Sequence, residues 1–409
     1  MKQILGLDLG NQNFRLVLGT QTKNFKPKII CVLERPSEGI SKGSIVDFEN
    51  FVKSLRKTLE EFKGIVGRLP KSVIVNVLGQ HFSVKIGRGA APISRADGEI
   101  SDTDTGQVLE KTKNISVSPN KTILHVISRE YKVDDLEGIK DPIGMHGIRL
   151  EAESLLVEVF NPNVKTIKKA FDELGYKVED MVFSPLASAW VGLSKKQEEV
   201  GTAIIDLGSE NTNLSVYEDG KILTTTSFPV GANHITHDIA ICLKTSLDIA
   251  EKIKLSYGCA LASEVSRKDT IDLSKISREL DTEISKKYLA EIIEARLEEI
   301  FDFVAEELKK IGRQGKLPGG LVLVGGGAKM PQIVDFAKAY LKLPVRIGHP
   351  VKLELEDTTE DIMEIIDDPA FSVACGLFYW QLNNINSGKT SMPSPFLSKL
   401  KKIAKIFVP

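Results

Sequence analysis

Residues 201–217 read GTAIIDLGSENTNLSVY. Ala203, Ile204 and Ile205 form an apolar β-type run, Asp206 and Gly208 open a polar turn, and Leu214 and Val216 belong to a second strand. A turn of this build presents backbone N–H groups to whatever lies above it, which suits a phosphate chain. Taken alone, it is equally an ordinary hairpin. A second copy decides between the two. Residues 4–19 read ILGLDLGNQNFRLVLG, and 8–16 align with 206–214: Asp8 with Asp206, Leu9 with Leu207, Gly10 with Gly208, Asn13 with Asn211 and Leu16 with Leu214. Two such hairpins half a chain apart predict a duplicated α/β fold whose lobes each aim one turn at a shared cleft. Clefts between domains are where nucleotides and other small ligands usually bind.

At 409 residues the chain exceeds a single core and is expected to divide into two or more domains. Its 42% hydrophobic and 27% charged residues are those of an ordinary globular protein, not of a disordered or membrane-embedded one. A formal net charge of -1 supplies no global field, so no nucleic-acid partner is expected and any membrane contact must come from a local patch. Cys31, Cys242, Cys259 and Cys375 stand far apart, in no metal-ligand spacing, and read as apolar fillers in a reducing compartment. Asp8 interrupts the N-terminal apolar run, so no secretory leader is expected. No apolar run approaches the ~20 residues that cross a bilayer. A cytoplasmic location follows as the expectation.

Around the two hairpins, strands alternate with helices, as in an α/β layer fold. Residues 28–34 read as a strand and 39–47 (GISKGSIVD) as a loop. Residues 48–64 read as a helix, with Phe48, Phe51, Val52, Leu55, Leu59 and Phe62 at helical spacing, and 72–78 as a buried strand. From about 82 to 162, β-like runs at 123–127, 130–133 and 155–160 accompany a polar span at 98–120; this reads as an inserted α+β subdomain. Helices are expected at 165–174, 185–193, 246–257 and 286–311, at 230–243 after a glycine turn, and at 370–382 closing the second lobe. Short strands are expected within 269–277. An apolar strand from 319 ends in Gly325, Gly326 and Gly327, and glycines at such a junction let backbone approach a ligand.

Three further features carry a plainer reading. Glu251 and Lys254 share one helix face, ordinarily a solvated ion pair. His234 and His237 lie one turn apart without a third ligand nearby in sequence, so they read as capping or core residues rather than a metal site. The eight acidic residues within 354–368 read as a solvated surface insertion.

The C-terminal stretch is a separate device. Residues 383–394 (NNINSGKTSMPS) have the composition of a flexible linker. Beyond them, 396–408 read FLSKLKKIAKIFV. On a helical wheel Phe396, Leu397, Leu400, Ile403, Ala404 and Phe407 share one face, while Ser398, Lys399, Lys401, Lys402 and Lys405 take the other. An apolar stripe backed by a wholly cationic face is the pattern of a helix lying in a membrane interface. Each interfacial lysine adds about 1 kcal/mol near an anionic surface, so one such helix binds reversibly and several on one assembly gain by avidity.

With these features placed, the chain resembles FtsA, the actin-like family of bacterial cell division, along essentially its whole length. The most specific stretches are GISKGSIVD (39–47), GIKDPIGMHGIRLE (138–151), SPLASA (184–189), HITHDIA (234–240) and LVGGGA (323–328). The resemblance implies an actin-like two-lobed fold of duplicated ribonuclease H-like domains, with the inserted α+β subdomain in the first lobe. Residues 1–82 and 163–195 would form subdomain 1A, 83–162 the inserted subdomain 1C, 196–229 and 301–382 subdomain 2A, and 230–300 subdomain 2B. The linker would then be 383–394 and the membrane-targeting helix 395–409, with Phe396, Leu397, Lys399, Leu400, Lys402, Ile403 and Phe407 binding the anionic membrane surface.

It further implies ATP and Mg²⁺ as ligands and self-assembly into filaments on the cytoplasmic face of the cell membrane at the division site. The implied partners are the C-terminal tail of FtsZ, the tubulin-like division GTPase, and other division proteins. By position, Gly10, Asn11, Gln12 and Asn13, with Gly208, Ser209, Glu210 and Asn211, would face the phosphates. Asp8 and Asp206 would hold Mg²⁺ through water, Glu251 and Lys254 would line the ribose and adenine side, and Gly325, Gly326 and Gly327 would hold the base end.

The family's usual second turn, Asp-x-Gly-Gly-Gly-Thr-Thr-Asp, here reads Asp206-Leu-Gly-Ser-Glu-Asn-Thr-Asn213, so Ser209 and Glu210 replace glycines and Asn213 a carboxylate. Glu210 is thereby expected to bring negative charge towards the polyphosphate and to weaken γ-phosphate binding. Slow or absent hydrolysis is expected, at most a weak ATPase, with no catalytic residue identified. Two other classes compete: a PilM-like scaffold of type IV pilus assembly, which needs no amphipathic tail, and an ATP-dependent enzyme such as a sugar kinase, for which no carboxylate base stands out.

Overall fold

The computed structural model describes residues 2–77, 82–115, 117–276, 283–350 and 354–386. The expected membrane-binding residues Phe396, Leu397, Lys399, Leu400, Lys402, Ile403 and Phe407 lie outside the described residues, as do 387–394 of the expected linker.

The chain opens with an antiparallel meander of β1 (Ile4–Leu9), β2 (Asn13–Gln21) and β3 (Pro27–Pro36). A small hairpin, β4 (Ile40–Ser41) and β5 (Ser44–Ile45), leads into α1 (Phe48–Val66). Asp47 caps α1 by accepting the Asn50 N–H at 3.0 Å. The helix then buries Phe51, Val52, Leu55, Leu59 and Phe62 against the β1 and β2 leucines, and β6 (Ser72–Val77) joins β1 in parallel.

The inserted subdomain follows: β7 (Ser83–Pro92), α2 (Asp102–Thr112), β8 (Lys121–Val133), β9 (Leu136–Ile139) and β10 (Arg149–Phe160), an antiparallel sheet in the order β7-β10-β8-β9. The sequence reading misses α2 inside the polar span because Val108 is its one buried apolar side chain; Asp104 and Thr112 are the other buried residues. The runs at 123–127 and 130–133 are one strand. The chain returns through α3 (Asn161–Glu173) to β11 (Lys177–Phe183), parallel to β6, and then α4 (Ser184–Gly192) and α5 (Lys195–Val200).

The second lobe repeats the first. It runs through β12 (Thr202–Leu207), β13 (Thr212–Glu218), β14 (Lys221–Phe228), α6 (Ala232–Leu243), α7 (Leu247–Tyr257), β15 (Thr270–Asp272) and β16 (Glu283–Ser285). The long α8 (Lys286–Lys310), β17 (Leu321–Val324), α9 (Ile333–Leu341) and β18 (Val345–Ile347) complete it. The first sheet has the order β11-β6-β1-β2-β3 and the second, read from β18, the order β18-β17-β12-β13-β14. Strand directions correspond as well, with three parallel strands followed by two antiparallel ones. The duplicated hairpins occupy equivalent places, and the two-lobed actin-like fold with its insertion is present.

The C-terminal part of the described chain departs from the sequence reading. Helix α10 (Glu360–Asp367) and helix α11 (Ser372–Asn386) pack on the first sheet, so 354–382 do not belong with the second lobe. Ile366, Phe371, Ala374, Phe378 and Leu382 share one cluster with Ile4, Val17 and Ile29. Close approach is possible because Gly6 faces α11: a Cβ there would stand 2.9 Å from the Ala374 carbonyl oxygen. Residues 383–386, expected in the linker, continue α11. The acidic stretch is not a free insertion either. The Asn24 side-chain amide donates to Glu356 at 2.7 Å and the Ile29 N–H donates to Thr358 at 3.1 Å, while α10 buries Ile366 and turns its acidic residues, together with Met363 and Ile365, to solvent.

Candidate functional site

The parallel strands of both sheets, β18 apart, end at one cavity of about 360 Å³. Asp8 of β1, Asn76 and Val77 of β6, Phe183 of β11, Asp206 of β12 and the glycines after β17 all reach it at the carboxyl ends of their strands, where open α/β sheets hold ligands. Of the residues singled out from sequence, the structure gathers Asp8, Gly10, Asn11, Gln12, Asn13, Asp206, Gly208, Ser209, Asn211, Glu251, Lys254, Gly325, Gly326 and Gly327 around this one space.

Asp8 and Asp206 are nearly buried. Burial pushes Asp8 up to about 7; Arg15 pulls it back and the negative charge of Asp206 adds to the rise. Burial raises Asp206 too, opposed by the hydrogen bond from Asn213 and by Arg15. Each carboxylate has one oxygen engaged by an amide. Asn76 Nδ2 donates to Asp8 Oδ1 at 2.6 Å, and Asn213 Nδ2 donates to Asp206 Oδ2 at 3.0 Å.

The second turn closes through the Gly208 N–H to the Asn211 carbonyl at 3.0 Å, and its carbonyls receive the first N–H groups of α6: Ala232 on Gly208 at 2.9 Å and Asn233 on Ser209 at 2.6 Å. Here the expectation for Glu210 is corrected. Its side chain does not line the cavity; Oε2 accepts the backbone N–H of Lys42. Asn11 Oδ1 takes the neighbouring Gly43 N–H at 3.0 Å. The tip of the β4–β5 hairpin therefore ties the first turn to the second, and an accessible peptide N–H satisfies the carboxylate that glycines would have omitted.

Lys254 and Glu251 are not a solvated pair. Lys254 is 6% exposed, and its Nζ lies 2.7 Å from Glu251, donates to Thr236 Oγ1 at 2.8 Å and to the Ala232 carbonyl at 3.2 Å. The pair locks α7 to the start of α6. His234 caps that start, its Nδ1 accepting the Gly231 N–H at 3.2 Å.

The glycine triplet divides its roles. Gly325 has φ +87°, and a Cβ there would come within 2.4 Å of Asp206 Oδ1. At Gly327 a Cβ would meet the Leu207 side chain at 2.4 Å, whereas Gly326 has no neighbour within 4 Å. Two glycines thus serve packing and the middle one presents bare backbone to open space.

Sequence reasoning passed over Arg15, Glu34, Asn76 and Lys329, all on the cavity wall, and took Asn213, which also lines it, only as a departure from the family's turn. A signal existed for two of them: Asn76 is the one polar residue among apolar neighbours in 73–77, and Arg15 the one charge in β2. Asp368, at the end of the acidic stretch, accepts from Lys329 Nζ at 2.6 Å, and the Gly325 N–H donates to the Pro369 carbonyl at 2.9 Å. The glycine loop is thereby pinned to the entry of α11. Among the described residues no helix is long and apolar enough to cross a membrane.

Comparison with known proteins agrees with this architecture. Residues 203–376 match the family model described as cell division protein FtsA, and 79–158 match the SHS2 domain inserted in FtsA. The cell division protein FtsA of Bacillus subtilis (strain 168) is 34% identical over 86% of this chain and 80% of its own length. Among solved structures, a PilM–PilN type IV pilus biogenesis complex superposes with a TM-score of 0.65 at 15% identity, over 93% of this chain and 98% of that one. MreB5 of Spiroplasma citri bound to ADP superposes with a TM-score of 0.55 at 14% identity, over 94% and 99%. At such identities the structures establish the actin-like fold, and the sequence relationship establishes the lineage: the chain belongs to the FtsA family.

Proposed function

We propose that this chain is a nucleotide-binding cell division protein. It polymerises on the inner face of the cytoplasmic membrane and tethers FtsZ filaments there through its C-terminal amphipathic segment. The observation that carries the nucleotide part is the single cavity where both copies of the hairpin turn converge at strand ends. Two buried polar atoms on its wall, Arg15 Nε and Asn211 Oδ1, have no hydrogen-bond partner, as a site awaiting a polar ligand requires. In this reading Gly10–Asn13, Gly208, Ser209 and Asn211 face the phosphates, Glu251 and Lys254 the ribose and adenine, and Gly325–Gly327 the base end. Subdomain limits near 1–82 with 163–195, 83–162 and 230–300 belong to the same proposal.

Mg²⁺ would be held through water. Among the described residues no group of three or more His, Cys, Asp or Glu is arranged to take a metal ion directly. Asp8 and Asp206, each with one oxygen engaged by an amide, retain acceptor capacity for a hydrated ion. Bound there, Mg²⁺ would neutralise phosphate charge. The chain's own residues orient the nucleotide: the turns supply N–H groups, and the Lys254 network fixes α7 against α6.

The membrane part rests on the sequence of 396–408, with Phe396, Leu397, Leu400, Ile403 and Phe407 entering the interface and Lys399 and Lys402 facing anionic headgroups. Co-sedimentation with anionic vesicles tests the whole tether. FtsZ should pellet when the full chain is present, and stay in solution with a chain ending at residue 395. The reading fails if the truncated chain carries FtsZ down equally, or if an FtsZ lacking its C-terminal tail is carried down as well as the intact protein.

A further inference from the structure

Arg15 is the one charged residue of β2, and it stands directly opposite Asp8 in the β1–β2 pairing. At the matching place in the second lobe, the residue opposite Asp206 is Asn213. The two lobes therefore share a strand-end aspartate but differ in what faces it. Both facing residues line the cavity, one a fixed cation and the other a neutral amide.

The surroundings of the guanidinium do not consume it. Nη2 lies 2.6 Å from Glu34 Oε1 and Nη1 lies 3.9 Å from Asp8 Oδ2, beyond hydrogen-bond distance. The group sits over the Phe371 ring, 5.9 Å from its centre, at the entry to α11. Its Nε is buried and donates to nothing. Glu34 does not depend on Arg15 alone, because Asn13 Nδ2 also donates to it at 2.8 Å. A guanidinium offers donors in a planar fork that matches phosphate oxygens, and Arg15 keeps part of that fork unused at the cavity wall.

From the nucleotide reading of the cavity, on which this step rests, we infer that Arg15 is a built-in phosphate-binding cation. It supplies beside Asp8 part of the positive charge that a divalent ion brings to a polyphosphate. ATP is consequently held in the absence of Mg²⁺. Such an ion would add to the grip of Arg15 without being a condition for it. Glu34 acts as the resting partner of the guanidinium, and Phe371 limits its swing.

The test is calorimetric titration of the full chain with ATP, in excess MgCl₂ and in excess EDTA, for the native protein, Arg15→Met, Arg15→Lys and Glu34→Gln. The native protein should lose less than about tenfold in affinity on metal removal. Arg15→Met should lose a further tenfold or more, about the effect of one charge-assisted hydrogen bond, with the larger loss in EDTA. Arg15→Lys should recover part of that loss. Should Arg15→Met fail to fold, Glu34→Gln decides, since a freed guanidinium must tighten metal-free ATP binding. A native protein that needs Mg²⁺ as strongly as Arg15→Met does would overturn the role of Arg15 and leave the nucleotide site standing. Absence of ATP binding by folded protein in both buffers would overturn the nucleotide reading and this inference together.

Discussion

Lowering the pH should loosen the wall of the cleft through one buried histidine. His125 lies in β8 of the inserted subdomain, yet its Nε2 accepts the Phe183 N–H at 3.0 Å, where β11 passes into α4 beside the cavity. Its ring also meets Trp380 of α11 edge-on, with centroids 5.3 Å apart. Burial holds the imidazole neutral, lowering it from an ordinary 6.5 to about 4. The unfolded chain therefore binds this proton first as pH falls. The stabilising contribution is complete above about 6.5, declines from there, and is fully lost near pH 4. At about 1.4 kcal/mol for each pH unit, the loss over that interval comes to about 3.5 kcal/mol. The chain's two tryptophans, Trp190 and Trp380, meet at a tilt with centroids 4.0 Å apart, Trp380 against His125, so urea unfolding followed by their fluorescence is a direct assay. Carboxylates titrate in the same range, so the measured quantity is the difference between the native protein and His125→Gln, whose amide can still accept from Phe183. Native stability should fall more steeply than that of the variant between pH 6.5 and 4.5. Parallel curves would show that His125 is protonated in the folded protein and refute the reasoning.

Two further substitutions separate packing from ligand contact. Gly325→Ala forces a side chain into a left-handed backbone and against Asp206, so stability should drop by about 1–3 kcal/mol in a denaturation experiment. Gly326→Ala, with open space around it, should keep the melting temperature while weakening ATP about tenfold or more in titration. Glu210→Ala should speed hydrogen exchange at the Lys42 amide about fivefold, the worth of about 1 kcal/mol, and leave Gly43 protected by Asn11. An unchanged Lys42 amide would mean that Glu210 is not its partner in solution.

The parts legible in the sequence are those encoded locally. A strand, a tight turn and a second strand within 8–16, repeated at 206–214, carry their own pairing, and the repetition alone implied the paired lobes. Sequence motifs also marked about half of the cavity wall, because turns and glycine junctions declare themselves over a few residues. Glu210 was misread because its partner is a backbone N–H of Lys42, 168 positions away, and backbone donors leave no trace in composition. Helix α2 was missed for a different reason. Its buried face is held by Asp104 and Thr112, whose hydrogen bonds to Ser94, Ser101 and Leu109 replace the apolar stripe that periodicity detects.

The placement of α11 shows the limit most clearly, and it alters the functional geometry. Periodicity marks 370–382 as a helix but cannot say which sheet receives it, since both sheets present apolar faces of similar composition. The deciding residues are Gly6 and Gly19 in strands far away in sequence, whose absent side chains admit Phe378. Once α11 is docked on the first sheet, its two ends face different tasks. Ala370 and Val373 near its start line the cavity, and Phe371 carries the Arg15 guanidinium. Its far end, Asn386, is nine residue steps from residue 395, so the two lie at most about 32 Å apart. The proposed membrane segment therefore hangs from the lobe that carries the inserted subdomain, and it is the first lobe that must stand within that distance of the lipid.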